Sequence, residues 1–294
     1  MPVRNTFVRS LHDLGAAAWF GGSLMGALGV NGAAAEVRDP ADRARVAAAG
    51  WAKWTPANAV AIGAHLVGGA GLLVANSDRA KNQSGVTANT VAKMVITGVA
   101  LATTAYSGVL GGKVAQGGGQ PVAGATESLA DTTSEVAAAQ VRDPTDRARV
   151  AAAGWAKWTP ANAVAIGAHL VGGAGLLVAN SDRAKNQSGV TANTTLKCIL
   201  TGVALATTAY SGVLGGKVAH GDGQPVAGAT ESLADTTSAV AAAQKQLKVL
   251  QWVTPVLTAA IIVLGAQQGE QQRGRQVLAG VGRTLTRRAG GRNR

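Results

Sequence analysis

VRDPADRARVAAAGWAKWTPANAVAIGAHLVGGAGLLVANSDRAKNQSGVTAN fills residues 37–89, and VRDPTDRARVAAAGWAKWTPANAVAIGAHLVGGAGLLVANSDRAKNQSGVTAN fills residues 141–193. The repeat extends over 37–140 and 141–244, an offset of 104 with nine differing positions. Five of the nine lie in one patch, Val91-Ala92-Lys93-Met94-Val95-Ile96 against Thr195-Leu196-Lys197-Cys198-Ile199-Leu200. Solenoid units run about 20–50 residues and diverge freely, so a unit this long and this similar reads as a recent copying event. Alanine tracts at 33–35, 137–139 and 241–243 border the units. Without one unit the chain is 190 residues long, and that shorter design is read first.

Only 14% of the residues are charged, 47% are hydrophobic and 3% aromatic, with 40 glycines. So few large side chains would build a poor soluble core. Charge-free windows decide the class. Asp13 to Glu36 encloses 22 uncharged residues, Lys53 to Asp78 encloses 24, Lys93 to Lys113 encloses 19, and Lys248 to Glu270 encloses 21. The second unit repeats the middle two, between Lys157 and Asp182 and between Lys197 and Lys217. Each is close to the ~20 residues that cross a bilayer core. The expected fold is all-α, a polytopic transmembrane bundle of six spans, which is a four-span ancestor plus a duplicated two-span unit. Its parts are an N-terminal segment with the first span (1–36), two repeat units (37–140 and 141–244), the last span (245–269) and a basic tail (270–294).

Basic residues set the orientation. Arg4 and Arg9 precede the first span, while Arg79, Lys81 and Lys93, and their copies Arg183, Lys185 and Lys197, lie in the short connection after the first span of each unit. The tail carries Arg273, Arg275, Arg283, Arg287, Arg288, Arg292 and Arg294. With six spans these regions share one side, so both termini are expected in the cytoplasm of a bacterial cell, with the chain in its plasma membrane. A two-span insertion inverts nothing downstream. Arg4 and Arg9, an apolar run and Ala33-Ala34-Ala35 also fit a signal peptide. The length of the run and His12-Asp13 at its start favour a retained helix. Cys198 is the only cysteine and can form no internal disulfide.

The first span, 14–32, contains Gly22 and Gly26 at a spacing that lets helices approach closely. Asp39-Pro40 reads as cap and first turn of a short interfacial helix anchored by Trp51 and Trp54, with Trp155 and Trp158 as the second-unit equivalents. Thr55-Pro56 restarts the chain as span 57–75, which holds Asn58 and His65. Span 94–112 carries Thr97, Thr104 and Ser107 on one stripe. The Gly-rich loop 116–121 lacks the strand and GK[ST] of a phosphate loop. Asp235-Thr236-Thr237 caps a long helix that leads into the last span, 249–267, where Pro255 is expected to kink it. The tail is amphipathic and suits anionic lipid headgroups. It has no aromatic side chain for stacking on bases, so no nucleic-acid partner is expected.

The histidines are the candidate chemistry. His65 recurs as His169, and an ionisable group at membrane depth is a functional candidate. The alternative is a neutral histidine bonded to Thr104 or Ser107 across a helix interface. His12-x6-Trp19-Phe20-Gly21-Gly22 resembles the first-helix signature of copper-resistance-D-like bacterial membrane proteins, over about eleven residues. The resemblance implies a helical bundle with His12 near a haem or copper site, with His65 and His169 as further ligand candidates. Two-histidine haem ligation needs both rings at one depth, whereas the windows place His12 at a membrane edge and His65 near mid-span. The whole chain is similar to small multi-pass membrane proteins of high-GC bacteria, which implies no activity. Hydrolase elbow, Walker motif, zinc pair and Cys-x-x-Cys are absent from the sequence, which argues against an enzyme. A structural or accessory membrane protein is the leading reading, a metal- or haem-binding bundle the second, and a small transporter subunit the third. With two near-identical units and one docking slot between the first and last spans, either the bundle enlarges, or one hairpin stays loose, or a homo-oligomer or domain-swapped dimer forms.

Overall fold

The computed structural model of the protein describes residues 5–82, 84–116, 144–181, 184, 187–220 and 226–271. Among them the chain is helical, without a strand. Helix α1 (Thr6–Met25) passes through a π-helical turn (Gly26–Val30) into α2 (Asn31–Ala35). The first unit supplies α3 (Pro40–Ala75), α4 (Ser77–Asn82) and α5 (Ser84–Gln116). The second supplies α6 (Pro144–Ala179) and α7 (Ser188–Ala219), and α8 (Ser238–Gln271) closes the described chain. Five of these helices, α3, α5, α6, α7 and α8, are long and apolar enough to cross a membrane. Their surfaces carry outward-facing Val60, Val74, Ile96, Val171, Val178 and Val256. Apolar surface of that extent is stable only against lipid or another protein. These are the features of a multi-pass membrane protein.

The expected interfacial helix and restarted span are instead one unbroken helix in each unit. Pro56 lies inside α3 and Pro160 inside α6. A proline removes one backbone donor, and the alanine-rich flanks carry the helix past it. Thr55 and Thr159 do not cap a new helix. Each hydroxyl donates backward, to the carbonyls of Trp51 (2.8 Å) and Trp155 (2.7 Å). Thirty-six residues span about 54 Å, well beyond the ~30 Å hydrocarbon core.

Glycines set the α1–α3 interface. A Cβ on Gly15 would lie 2.4 Å from the backbone nitrogen of His65, and one on Gly68 would lie 2.4 Å from that of His12. Gly22 makes room for the ring of Trp54, and Gly71 for Val8. The facing pairs Gly22/Trp54, Gly15/His65 and Val8/Gly71 fix an antiparallel register in which the two charge-free windows are offset by about ten residues. The expected spans 14–32 and 57–75 therefore do not lie level.

The N-terminal turns of α3 and α6 meet at α2. Ala33, Ala34, Val37, Val46 and Ala47 bury themselves with Val150, and Trp51 covers them. Val46 and Val150 are the same position of the two units. Asp146 receives Arg38 (3.0 Å) and Arg149 (3.3 Å), and Lys157 reaches Glu36 (3.1 Å) and the carbonyl of Gly32 (3.2 Å). The Lys157–Glu36 pair is exposed on both sides and contributes only about 0–1 kcal/mol, whereas the Asp146 carboxylate is buried beneath its two more exposed arginine partners.

At the other side, α7 packs antiparallel on α8. Leu214, Val218, Val240 and Ala243 form a buried cluster covered by Leu247 and Leu250. Asn193 donates to the carbonyl of Leu264 (3.1 Å) and to Oε1 of Gln267 (3.2 Å). Lys197 donates to Gln268, whose amide donates to Thr194 (3.4 Å). Most of the patch that differs between units avoids this face: Thr195, Leu196, Cys198 and Ile199 point outward, while Leu200, Ile96 in the first unit, is half-buried. Asn193→Ala is expected to weaken the α7–α8 pair by about 0.6–1.7 kcal/mol, measured by denaturation in mixed micelles. An unchanged midpoint would show the bonds to be unimportant. Helix α8 also meets α1, and runs through Pro255 without a break. Helix α8 begins directly after residues 235–237. The carbonyl of Thr237 accepts from Ala241 (2.9 Å), and the Thr236 hydroxyl accepts from the Leu233 amide (2.8 Å).

The single docking slot is thus divided. The first unit places α3 on α1, and the second places α7 on α8. The corresponding faces of α6 and α5 are uncovered. A Cβ on Gly172 or Gly175 of α6, the counterparts of Gly68 and Gly71, meets nothing within 4 Å. Leu110 of α5, the counterpart of buried Leu214, is exposed. The amphipathic tail and most of the Gly-rich loop lie outside the described residues.

Candidate functional site

The α1–α3 contact brings His12 and His65 face to face. Their rings stack with centroids 4.0 Å apart and planes inclined by 21°. His12 Nδ1 lies 3.0 Å from the carbonyl of His65, and His65 Nδ1 lies 3.1 Å from the carbonyl of His12. A carbonyl only accepts, so both Nδ1 atoms carry the proton and donate. In the neutral ring Nε2 is then the acceptor. For His65 it receives the Thr97 hydroxyl at 3.4 Å. Trp19 closes the group edge-on to His65 at 6.0 Å, with its indole N–H donating to Thr104 (3.1 Å). This reciprocal arrangement requires backbone-to-backbone approach, which Gly15 and Gly68 allow.

Two sequence expectations are corrected here. His12 and His65 are level with each other, because glycine packing staggers the helices, whereas charge-free windows treat every span as centred in the bilayer. The hydroxyl partner of His65 is Thr97, two turns from Thr104, and Thr104 serves Trp19. Ser107 lies half-buried on the same face of α5. Gly22 seats the Trp54 ring, and Gly26 starts the π turn and is buried. The tryptophans divide by unit. Trp54 is buried and Trp51 donates to Asn31 Oδ1 (3.2 Å), whereas Trp155 is exposed and Trp158 half-buried. In the first unit the pair packs within the protein. His169 is exposed on α6, away from the other histidines.

Gly15, Trp19, Gly68 and Thr97 belong to the site without having been singled out as ligand or packing residues. Trp19 stands inside the His12-x6-Trp19 pattern, seven residues and two helical turns from His12, and that spacing puts both on one face.

The geometry does not fit a haem held by both histidines. Two axial imidazoles lie on opposite sides of the macrocycle, and rings in face contact leave no room for it. Among the described residues, no three His, Cys, Asp or Glu side chains converge on one point. The site as built is a closed hydrogen-bonded clasp between two helices. Comparison of the chain with protein-family models, with curated proteins and with solved structures gave no match.

Proposed function

We propose that the protein is a structural or accessory component of a bacterial plasma membrane, a helix-packing protein in which the histidines hold α1 to a repeat helix. One observation carries this reading: each ring donates its Nδ1–H to the backbone of the other helix, so both side chains are engaged in packing. In this reading α1 is a sixth span, both termini face the cytoplasm, and the basic tail rests on anionic headgroups. The partners are lipid and other membrane proteins.

One observation favours a second reading. A histidine whose Nδ1–H is fixed on a carbonyl presents Nε2 as a ligand, the usual arrangement at metal sites. Elemental analysis and a visible spectrum of the detergent-purified protein separate the two, beside a His12→Ala, His65→Ala, His169→Ala variant. The packing reading expects a colourless protein with substoichiometric metal, and a variant whose α1–α3 contact is weakened. Stoichiometric metal that the variant loses, with helix pairing intact, would establish the metal-binding reading and remove the structural one.

A further inference from the structure

We propose that α6 is a second occupant of the α1 groove, so that the chain exchanges α3 for α6 on α1. The residues of α3 that fit the groove are Trp54, Ala61, His65, Gly68 and Gly71. Their counterparts in α6 are Trp158, Ala165, His169, Gly172 and Gly175, identical at every position. Whatever α1 gains from one face it can gain from the other. The α6 face is uncovered at Gly172 and Gly175, so the exchange displaces no other helix from it.

Two further features make the exchange accessible. Helix α6 already touches α2, the short continuation of α1 beyond the π turn, with the Lys157 side chain against Gly32 and Arg149 donating to the carbonyl of Glu36 (2.9 Å). Both helices also run in the same direction, because the offset between them contains an even number of membrane-spanning helices. In the exchanged form His12 stacks on His169, and the clasp is rebuilt with the second unit. The same degeneracy holds at α8. There Asn89, Thr90, Lys93, Ala100 and Leu110 of α5 are identical to Asn193, Thr194, Lys197, Ala204 and Leu214 of α7.

A second copy of the chain cannot satisfy the surplus. Each copy brings one α1 and one α8, and two claimants for each. Exchange within one chain needs no added helix. The short link 36–39 favours α3, since closing a longer connection costs entropy as 3/2 the logarithm of its length. The exchanged form is therefore the minor one, by on the order of a hundredfold.

Disulfide trapping tests this in a Cys198→Ser background. A Cβ on Gly71 would lie 3.5 Å from Cβ of Val8, within the range of a disulfide. Val8→Cys with Gly71→Cys is expected to oxidise rapidly and within one chain. Val8→Cys with Gly175→Cys is expected to oxidise on the order of a hundredfold more slowly, also within one chain. Adding Gly68→Val, which blocks the groove to α3, should speed the second reaction at least tenfold. Failure of the Gly175 pair to form within one chain, while the Gly71 pair forms, overturns the proposal. So does a Gly175 product found only as a disulfide-linked dimer, which would assign the groove to α6 of another molecule.

Discussion

Gly15→Val is expected to detach α1 from the repeat helices, the largest effect of any single substitution in this chain. The new Cβ would lie 2.4 Å from the His65 nitrogen and 2.5 Å from the Ala61 carbonyl oxygen. Both are backbone atoms of a helix, and neither can turn aside. The helices must separate by more than an ångström. That breaks both His-to-carbonyl bonds and opens the seat of Trp54 at once. Overpacking of this kind costs about 1–3 kcal/mol or more, and each lost interhelical hydrogen bond adds about 0.6 kcal/mol. A loss near 3 kcal/mol is expected in micellar denaturation, together with loss of the Val8–Gly71 disulfide. Gly172→Val makes the control. It stands in the same local sequence as Gly68 but meets nothing within 4 Å, so a change within about 0.5 kcal/mol is expected. Equal losses from Gly15→Val and Gly172→Val would mean that α6 packs as α3 does, contrary to the structure.

Deleting residues 141–244 is expected to leave a folded protein of undiminished stability, although it removes 104 of 294 residues. Helix α3 keeps α1. Helix α5, now followed directly by the α8 segment, presents the identical face that α7 uses, with Asn89 for Asn193 and Leu110 for Leu214. The diagnostic is a transfer of sensitivity. Asn89→Ala should be silent in the full chain, because that face of α5 is uncovered. It should cost about 0.6–1.7 kcal/mol in the shortened one. If Asn89→Ala is silent in both, α5 does not replace α7, and the two units are not equivalent in packing.

Much of the architecture is legible in the sequence. Charge-free windows identify the helices that emerge as α3, α5, α6, α7 and α8, and α8 starts directly after the Asp235-Thr236-Thr237 run. What composition cannot show is relative height. A window reports how far one helix stays apolar, and says nothing of how it slides against its neighbour. That depends on where two glycines meet, so the pairing of Gly15 with Ala61–His65, and with it the His12–His65 clasp, was hidden. Pro56 misled for a different reason. A Thr-Pro step reads as a restart, but a single missing donor does not end a helix with good formers on either side. The division of labour between units was equally hidden, since two identical faces give no local sign of which is covered.

The stagger of α1 against α3 has a consequence for the lipid around them. Only about eleven residues of each helix, between Asp13 and the level of Lys53, are charge-free on both at once, or roughly 16 Å of shared apolar height. A bilayer core is nearly twice as thick. Hydrophobic mismatch of that size is relieved by local thinning of the lipid and by long side chains such as Lys53 reaching back toward the headgroups. With α1 as the proposed sixth span, the helix pair would act as a pinch in the bilayer and favour membrane regions that are already thin.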